Sequence, residues 1–376
     1  MIVGELRHGQ LAIIDRLRET VRLSEGLEAN GDLTEPAKAR ALDCLARFGE
    51  RLQDMHASNV RAAGTSTLRR AKDSQAFCRA AERALGHPIE VISGLEEARL
   101  IYSGVVHTSP AENGLRLVLD IGGGSTELIL GQGVKPQALE SLHMGCVVMT
   151  ERHFPDGKLT RAAFEAARLA IRLKLRPVKA FFRDSTEISA IGTSGTIRST
   201  MRVARELGIS DSFLTAENVE QLIDQVIDMG SVDALSFPGL SERRAQVWPG
   251  GLAILVELLG VLRIERMATT DGALREGLLY DYIGRLHDED ARERSVRALA
   301  RRYSVDPEQA TRVAETSAAL LEQARTGWQL DSVFARQVLK WAARLHEIGL
   351  DISHEGFHRH GSYVAEHADL PGFPHV

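Results

Sequence analysis

Asp120-Ile121-Gly122-Gly123-Gly124-Ser125-Thr126-Glu127 brings three glycines, two hydroxyls and two carboxylates together in one turn of the chain. The segments on either side, 115–121 and 127–130, are short, aliphatic and flanked by glycine, which predicts two strands. The glycines can adopt positive φ and turn their N–H groups toward an anion. The stretch therefore predicts a hairpin that binds phosphate, and the alternative is an ordinary glycine-rich hairpin.

Two further glycine loops follow predicted strands. They are Gly192-Thr193-Ser194-Gly195-Thr196, which precedes a helical pattern, and Gly64-Thr65-Ser66-Thr67-Leu68-Arg69. Neither is a P-loop, because no Lys precedes a Ser or Thr at the required spacing. The turn at 120–127 is not a dinucleotide fingerprint either, since that motif needs a glycine where Glu127 stands and a helix after the turn. Three such loops predict an α/β enzyme that binds phosphates from both sides of a cleft.

Two groups of carboxylates are candidates for chemistry. Asp120 and Glu127 can hold a hydrated Mg²⁺ or position a water molecule. Glu96 and Glu97 are adjacent near the start of a predicted helix, where consecutive residues are about 100° apart. Only one of them can therefore face the cleft, and the spacing alone does not choose between them. The alternative is that both are first-turn acids favoured by the helix dipole.

Composition bounds the remaining possibilities. The 376 residues are 44% apolar and 26% charged, which predicts two or three folded domains. A net charge of −5 argues against a general binder of nucleic acid or anionic membranes, so a polyanionic substrate would need local basic patches. The longest apolar run, 250–264, contains two charges and is too short to span a bilayer, and no signal peptide is evident. Cytoplasmic localisation is the expectation.

Five motifs together resemble the exopolyphosphatase and guanosine pentaphosphate phosphohydrolase (Ppx/GppA) family. They lie, in the family's order, at 64–69, 92–100, 120–128, 192–196 and 271–277. The resemblance implies an α/β fold with two ribonuclease-H-like domains of the actin, heat-shock protein 70 and sugar kinase superfamily, followed by a helical HD-like domain. We expect these domains at 1–108, 109–287 and 288–376.

The resemblance also assigns roles by position. Glu97 is expected to be the base that activates water, and Glu127 the second catalytic carboxylate. Asp120 and Glu127 are the expected Mg²⁺ contacts, and Arg69 is the expected phosphate clamp, because a guanidinium can bind two phosphate oxygens. The other expected phosphate-binding residues are Gly123, Gly124, Ser125, Thr126, Gly192, Thr193, Ser194 and Gly195. Whether the loop at 192–196 meets a nucleotide stays open.

The resemblance favours removal of terminal phosphate from inorganic polyphosphate, with Mg²⁺ as cofactor. Hydrolysis of guanosine pentaphosphate is the alternative within the family, and a catalytically impaired remnant is the alternative outside the enzymes. Two features favour polyphosphate. The turn is Gly-Gly-Gly-Ser, with Gly124 at the third position, whereas pentaphosphate hydrolases often resemble Gly-Gly-Ala-Ser. The stretch 353–360 looks more like the polyphosphatase version.

Family members open with a strand that ends in Asp-x-Gly-Ser-Asn-Ser, and this chain has no such motif. We therefore expect it to be truncated at both ends, with the opening strand and first phosphate loop missing and the helical domain incomplete. The resemblance further implies a homodimer when full length, no nucleic-acid partner, and a cytoplasmic protein peripheral to the inner membrane. His346-Glu347 stands where HD phosphohydrolases carry His-Asp, but no matching metal-ligand set accompanies it.

Overall fold

The computed structural model describes residues 1–7, 10–19, 21–28, 30–110, 114–183, 188–286, 291–325, 327–328, 330, 333–368, 370 and 372–373. Contacts divide the chain into two compact units, Met1–Tyr282 and Ile283–Val376. The three domain bounds expected from the sequence stay predictions.

The first part of the larger unit alternates strands and helices. An antiparallel hairpin of β1 and β2 is followed by a parallel pair, β3 and β4, with helices between and after them. The elements are β1 Ile2–Arg7, β2 Gln10–Arg16, α1 Glu35–Leu52, β3 Ala62–Gly64, α2 Ser66–Arg70, α3 Ser74–Leu85, β4 Ile89–Val91 and α4 Gly94–Thr108.

The helix ends in this part follow local chemistry with one exception. Helix α3 stops at Gly86, as the sequence predicts, and this glycine takes the left-handed conformation with φ of +77°. Ser93 caps α4 by accepting a hydrogen bond from the Glu96 N–H at 3.1 Å. The sequence also predicts that Thr34 caps α1. Thr34 does occupy the N-cap, but its side chain makes no capping hydrogen bond, so that prediction is wrong.

A five-stranded sheet forms the centre of the larger unit, in the order β7-β6-β5-β8-β9. Strands β5, β6 and β7 form an antiparallel meander, while β8 and β9 are parallel to β5. The strands are β5 Leu115–Ile121, β6 Thr126–Gln132, β7 Lys135–Leu142, β8 Ile188–Thr193 and β9 Met267–Thr269. The predicted hairpin is therefore confirmed as β5 and β6.

Strand β5 is buried on both faces, which explains why five of its seven residues are aliphatic. Leu117 and Leu119 pack into the main core, whereas Val118 packs into a second cluster on the other face. That second cluster contains Ile101 and Val105, so α4 covers this face of the sheet. The turn after β5 is thus held on a rigid, fully packed strand.

Helices complete the larger unit. They are α5 Cys146–His153, α6 Arg161–Leu175, α7 Lys179–Arg183, α8 Ser194–Glu206, α9 Ala216–Met229, α10 Glu242–Ala245, α11 Trp248–Val261 and α12 Leu274–Leu286. The sequence pattern predicts a single helix over 161–182, and this prediction is wrong, because the chain turns between α6 and α7 at Pro177, which has no N–H to donate. The apolar run near 250 is the buried helix α11. In the part of the chain that the structure describes, no helix is long and apolar enough to cross a membrane.

The smaller unit contains α13 Ala291–Arg302, α14 Pro307–Ala324, α15 Val333–Leu345 and α16 Phe357–His367. Its core includes Leu299, Ile348 and Val364. Asp306 caps α14 by accepting a hydrogen bond from the Glu308 N–H at 2.9 Å, which confirms the predicted helix start.

Candidate active site

The glycine turn between β5 and β6 is fixed by the start of α5. The N–H of Cys146 donates to the carbonyl of Gly122 at 2.9 Å, and the N–H of Val147 donates to that of Gly123 at 3.1 Å. Gly145 passes so close that a Cβ there would lie 2.2 Å from the Gly123 carbonyl. Among the described residues, no acceptor pairs with the N–H groups of Gly123 and Gly124. These two donors are therefore available to an anion.

Three carboxylates come together beside this turn, although they lie far apart in the sequence. Asp120 is opposite Glu127 across the β5–β6 pair, and Glu97 reaches them from α4. They are 9%, 1% and 8% exposed, respectively. Burial and the nearby charge of Glu97 raise the pKa of Asp120 to about 7, and the positive charge of Arg198 opposes this rise.

Glu127 is the most strongly affected carboxylate. Burial, followed by the charges of Glu97 and Asp120, raises its pKa well above the usual range. Hydrogen bonds from Ser125 and Ser141 oppose this rise, and the Ser141 hydroxyl lies 2.9 Å from Oε1 of Glu127. A buried group of three mutually repelling carboxylates is costly unless a cation accompanies it.

Arg69 lies against Glu97. One guanidinium nitrogen, Nη1, is 3.0 Å from Oε2 of Glu97 and 2.7 Å from the carbonyl oxygen of Ile92. Burial raises the pKa of Glu97, while Arg69 and a hydrogen bond from Thr65 oppose the rise. The predicted phosphate clamp is therefore engaged with the predicted base, which it holds toward its ionised form.

Glu96 has a different environment, which the sequence did not distinguish. Both of its oxygens accept hydrogen bonds from Arg99, at 2.7 and 2.8 Å. Arg99 also contacts Asp281, which in turn binds Arg61, with both distances at 2.5 Å. Glu96 thus belongs to a buried ion-pair network and Glu97 to the carboxylate group.

The predicted phosphate-binding residues divide into two sets. Thr126 is fully buried and its hydroxyl donates to the carbonyl of Met144, and Thr193 likewise donates to Gly272 at 2.8 Å. Gly192 pairs within the sheet. Gly123, Ser194 and Gly195 line an open cavity.

Ser194, the first residue of α8, has φ of +86°, a conformation that is rare for residues other than glycine. Arg198 donates to its carbonyl at 3.0 Å. Gly195 follows, and a Cβ there would lie 1.8 Å from Nη2 of Arg244. The absence of a Cβ at Gly195 therefore allows the guanidinium of Arg244 to approach the loop.

The cavity has a volume of about 590 Å³ and lies beside the glycine turn. Asp120, Gly122 and Gly123 line it, together with six arginines. The arginines are Arg18, Arg22, Arg198, Arg202, Arg243 and Arg244.

The cavity is strongly positive, because its only acidic lining residues are Glu25 and Asp120. Within the described ranges, no carboxylate forms an ion pair with Arg18, Arg202, Arg243 or Arg244. Burial, followed by the positive charges of Arg244, Arg198 and Arg275, lowers the pKa of Arg18. A site in which guanidinium groups repel one another fits a polyanion.

Sequence reasoning missed Arg18, Arg22 and Arg202 as site residues. The spacing of Arg198 and Arg202 by four residues on one helix face was the available signal. No local signal connects Arg18 and Arg22 to that helix, because the fold brings them there from the segment after β2.

The donor set near Asp120 fits a hydrated divalent cation. Over the residues that the structure describes, no group of three or more His, Cys, Asp or Glu could enclose a metal ion. Mg²⁺, however, usually takes one or two carboxylates and fills its other positions with water and substrate phosphates. Asp120, which lines the cavity, and Glu127, which lies opposite it across the β5–β6 pair, would supply those carboxylates.

Comparisons with known proteins identify the family. The model of the Ppx/GppA phosphatase family matches residues 2–286, and that of Ppx/GppA phosphatase domain III matches 291–376. A guanosine-5'-triphosphate,3'-diphosphate pyrophosphatase from Aeromonas hydrophila is 42% identical over 373 residues, which cover 99% of this chain and 75% of the relative. The enzyme of the same name from Aeromonas salmonicida is 41% identical over the same shares. The expected truncation is not borne out by these alignments.

Solved structures confirm the predicted actin-like fold. The Ppx/GppA enzyme of Aquifex aeolicus is 26% identical with a TM-score of 0.61, covering 74% of this chain and 93% of that structure. An exopolyphosphatase from Cytophaga hutchinsonii, 23% identical, has a TM-score of 0.67, with 74% and 92% covered. The chain belongs to the Ppx/GppA phosphatase family, and its chemistry is the hydrolysis of phosphoric anhydrides.

Proposed function

We propose that this chain hydrolyses the terminal phosphoanhydride of guanosine-5'-triphosphate,3'-diphosphate, here called guanosine pentaphosphate, and releases orthophosphate. The two Aeromonas relatives, 42% and 41% identical along almost the whole chain, carry this proposal. They favour the alternative in the sequence analysis over its main prediction, inorganic polyphosphate.

The arginine-lined cavity supports the same choice. Guanosine pentaphosphate carries phosphates at both ends of its ribose, so it needs cationic contacts at two places. The glycine turn and Asp120 line the cavity together with six arginines, which come from the segment after β2, from α8 and from α10. Its volume of about 590 Å³ is within the range of small-ligand sites.

Gly124 no longer favours polyphosphate. A Cβ at this position would lie 2.6 Å from Oγ of Ser66, at the start of α2. The glycine therefore follows from the close approach of α2 to the turn and does not report the substrate. The stretch 353–360 lies in the smaller unit, where nothing connects it to a substrate.

In the proposed reaction, Glu97 accepts a proton from a water molecule that attacks the terminal phosphorus. The bond from this phosphorus to the bridging oxygen breaks, orthophosphate is released, and the oxygen stays on the 5'-diphosphate of the nucleotide. Arg69 holds Glu97 in position and opposes the rise in its pKa that burial causes. The N–H groups of Gly123 and Gly124 would bind the transferred phosphoryl oxygens. Asp120 and Glu127 would hold Mg²⁺, which supplies neutralisation of phosphoryl charge when it is bound.

A phosphate-release assay tests the substrate. We expect kcat/KM for guanosine pentaphosphate to exceed that for tripolyphosphate and long polyphosphate by about tenfold or more, since only the nucleotide offers phosphates on both sides of a ribose to the arginines and the glycine turn. Glu97→Gln is the control, because it should abolish release from every substrate if one site is responsible. Faster hydrolysis of long polyphosphate would instead identify an exopolyphosphatase.

A further inference from the structure

Ser141 lies where the predicted catalytic carboxylates meet, although no motif singled it out. It is the β7 residue directly opposite Glu127 of β6, and its hydroxyl donates to Oε1 of Glu127 at 2.9 Å. Across the described residues, no Arg or Lys forms an ion pair with Glu127. The buried carboxylate therefore depends on hydroxyl donors from Ser125 and Ser141.

The same serine also supports helix α4. Gly94, the first residue of α4, passes so close that a Cβ there would lie 2.6 Å from both Cβ and Oγ of Ser141. Glu97 follows in the next positions of this first turn. Ser141 thus contacts one carboxylate directly and the helix start that carries another.

We propose that Ser141 is a positioning residue that fixes the carboxylates of Glu127 and Glu97 relative to each other. It aims Oε1 of Glu127 through its hydroxyl, and it seats the first turn of α4 against β7. Ser125 cannot replace it, because Ser125 belongs to the turn and makes no corresponding contact with Gly94. The proposal rests on the proposed function, since it takes Glu127 and Glu97 as catalytic groups.

Ser141→Ala tests the proposal with little risk to folding, because the Cβ that contacts Gly94 is kept. The matched control is Ser210→Ala, which removes another serine hydrogen bond, to the carbonyl of Phe213, outside the site. We expect Ser141→Ala to lower kcat about tenfold and to change KM less than about twofold, since the serine orients a catalytic group and does not bind phosphate.

A split between the effects on kcat and on KM separates positioning from a structural role. Because Ser141 aims Oε1 of Glu127 and does not bind phosphate, its loss should lower kcat and leave KM nearly unchanged. A general loss of folded chain would instead lower the apparent kcat of Ser141→Ala and of Ser210→Ala alike. The assay uses whichever phosphoanhydride the wild-type chain hydrolyses fastest, so a wrong substrate does not affect this test.

Urea unfolding supplies a readout that needs no activity. Each variant loses one hydroxyl hydrogen bond, so Ser141→Ala and Ser210→Ala should both stay folded under the assay conditions, and only Ser141→Ala should lose kcat. A kcat equal to that of Ser210→Ala, or a rise in KM as large as the fall in kcat, would overturn the proposal. Full activity of Glu127→Gln would instead refute the proposed role of Glu127, which keeps the two failures distinguishable.

Discussion

Glu96 and Glu97 are neighbours in the sequence, yet their carboxylates pair with different arginines. Glu96 accepts two hydrogen bonds from Arg99, at 2.7 and 2.8 Å, whereas Glu97 accepts one from Arg69 at 3.0 Å. Consecutive helix residues are about 100° apart, so one side chain can enter the ion-pair network with Asp281 while the other faces Asp120. The two residues should therefore fail in different ways when they are changed.

Glu97→Gln should lower kcat by about 10² to 10⁴ and leave the free energy of unfolding nearly unchanged, because it removes a base and keeps its shape. Glu96→Gln should instead lower the free energy of unfolding by about 3 kcal/mol, since the buried Arg99 loses one counter-charge, that of Glu96, and keeps that of Asp281. Steady-state kinetics and urea unfolding of both variants measure this. Equal losses of kcat in the two folded variants would contradict the assignment of Glu97.

Arg69→Ala should move the acidic limb of the kcat profile to higher pH. Arg69 opposes the rise in the pKa of Glu97 that burial causes, so its removal keeps Glu97 protonated, and inactive as a base, over a wider pH range. Arg69→Lys should restore the limb only in part, because an ammonium keeps the charge but loses the planar geometry. A rise in KM with an unmoved limb would show that Arg69 acts as the phosphate clamp that the sequence suggested.

Much of the fold could be predicted because its signals are local. The glycine turn, the aliphatic strands around it and the caps at Ser93 and Asp306 each lie within a few residues of the element they define. The single helix predicted over 161–182 is two helices in the structure. The apolar spacing continues across Pro177, but this residue has no N–H for a helical hydrogen bond, so the helix ends before it.

The site was less predictable, because it depends on which side chains the fold brings together. Arg18 and Arg202 are far apart in the sequence and meet only in the folded cavity. Thr126 matched a phosphate loop by position, but its hydroxyl donates to the carbonyl of Met144, which lies beyond β7. Gly124 was interpreted as a sign of substrate, whereas Ser66 explains it by packing.

Gly195→Ala should raise KM for guanosine pentaphosphate about tenfold or more. The added Cβ would lie 1.8 Å from Nη2 of Arg244, so the guanidinium must leave its place in the cavity and one charge-assisted phosphate contact is lost. Gly260→Ala is the matched control, because a Cβ there meets nothing within 4 Å. Steady-state KM and thermal unfolding of both variants decide it, and an unchanged KM in a folded Gly195→Ala would remove Arg244 from the binding site.

Asp120→Asn should stabilise the chain at neutral and higher pH. The pKa of Asp120 is about 7 in the folded chain and about 3.9 when unfolded, so the stability that its proton confers is complete below about pH 4 and is lost as pH rises through 7. The variant avoids this loss, which is about 2 to 4 kcal/mol for a carboxyl with these neighbours, Glu97 and Glu127. Urea unfolding at about pH 5 and about pH 8 measures it. A stability difference between variant and wild type that is independent of pH would show that Asp120 ionises normally.

Mg²⁺ should stabilise the wild-type chain at about pH 8, because a cation that binds the folded carboxylates and not the unfolded chain adds about 1.4 kcal/mol at ten times its Kd. The effect should disappear in Asp120→Asn and in Glu127→Gln, which remove the two expected contacts, and should persist in Ser210→Ala. It should also weaken at about pH 5, where protons compete with the metal for Asp120. Thermal unfolding at matched ionic strength, with NaCl replacing MgCl₂, separates binding from screening of charge. If Mg²⁺ stabilises Asp120→Asn as much as the wild type, its site lies elsewhere, and the group of Asp120, Glu127 and Glu97 has to be explained by proton sharing alone.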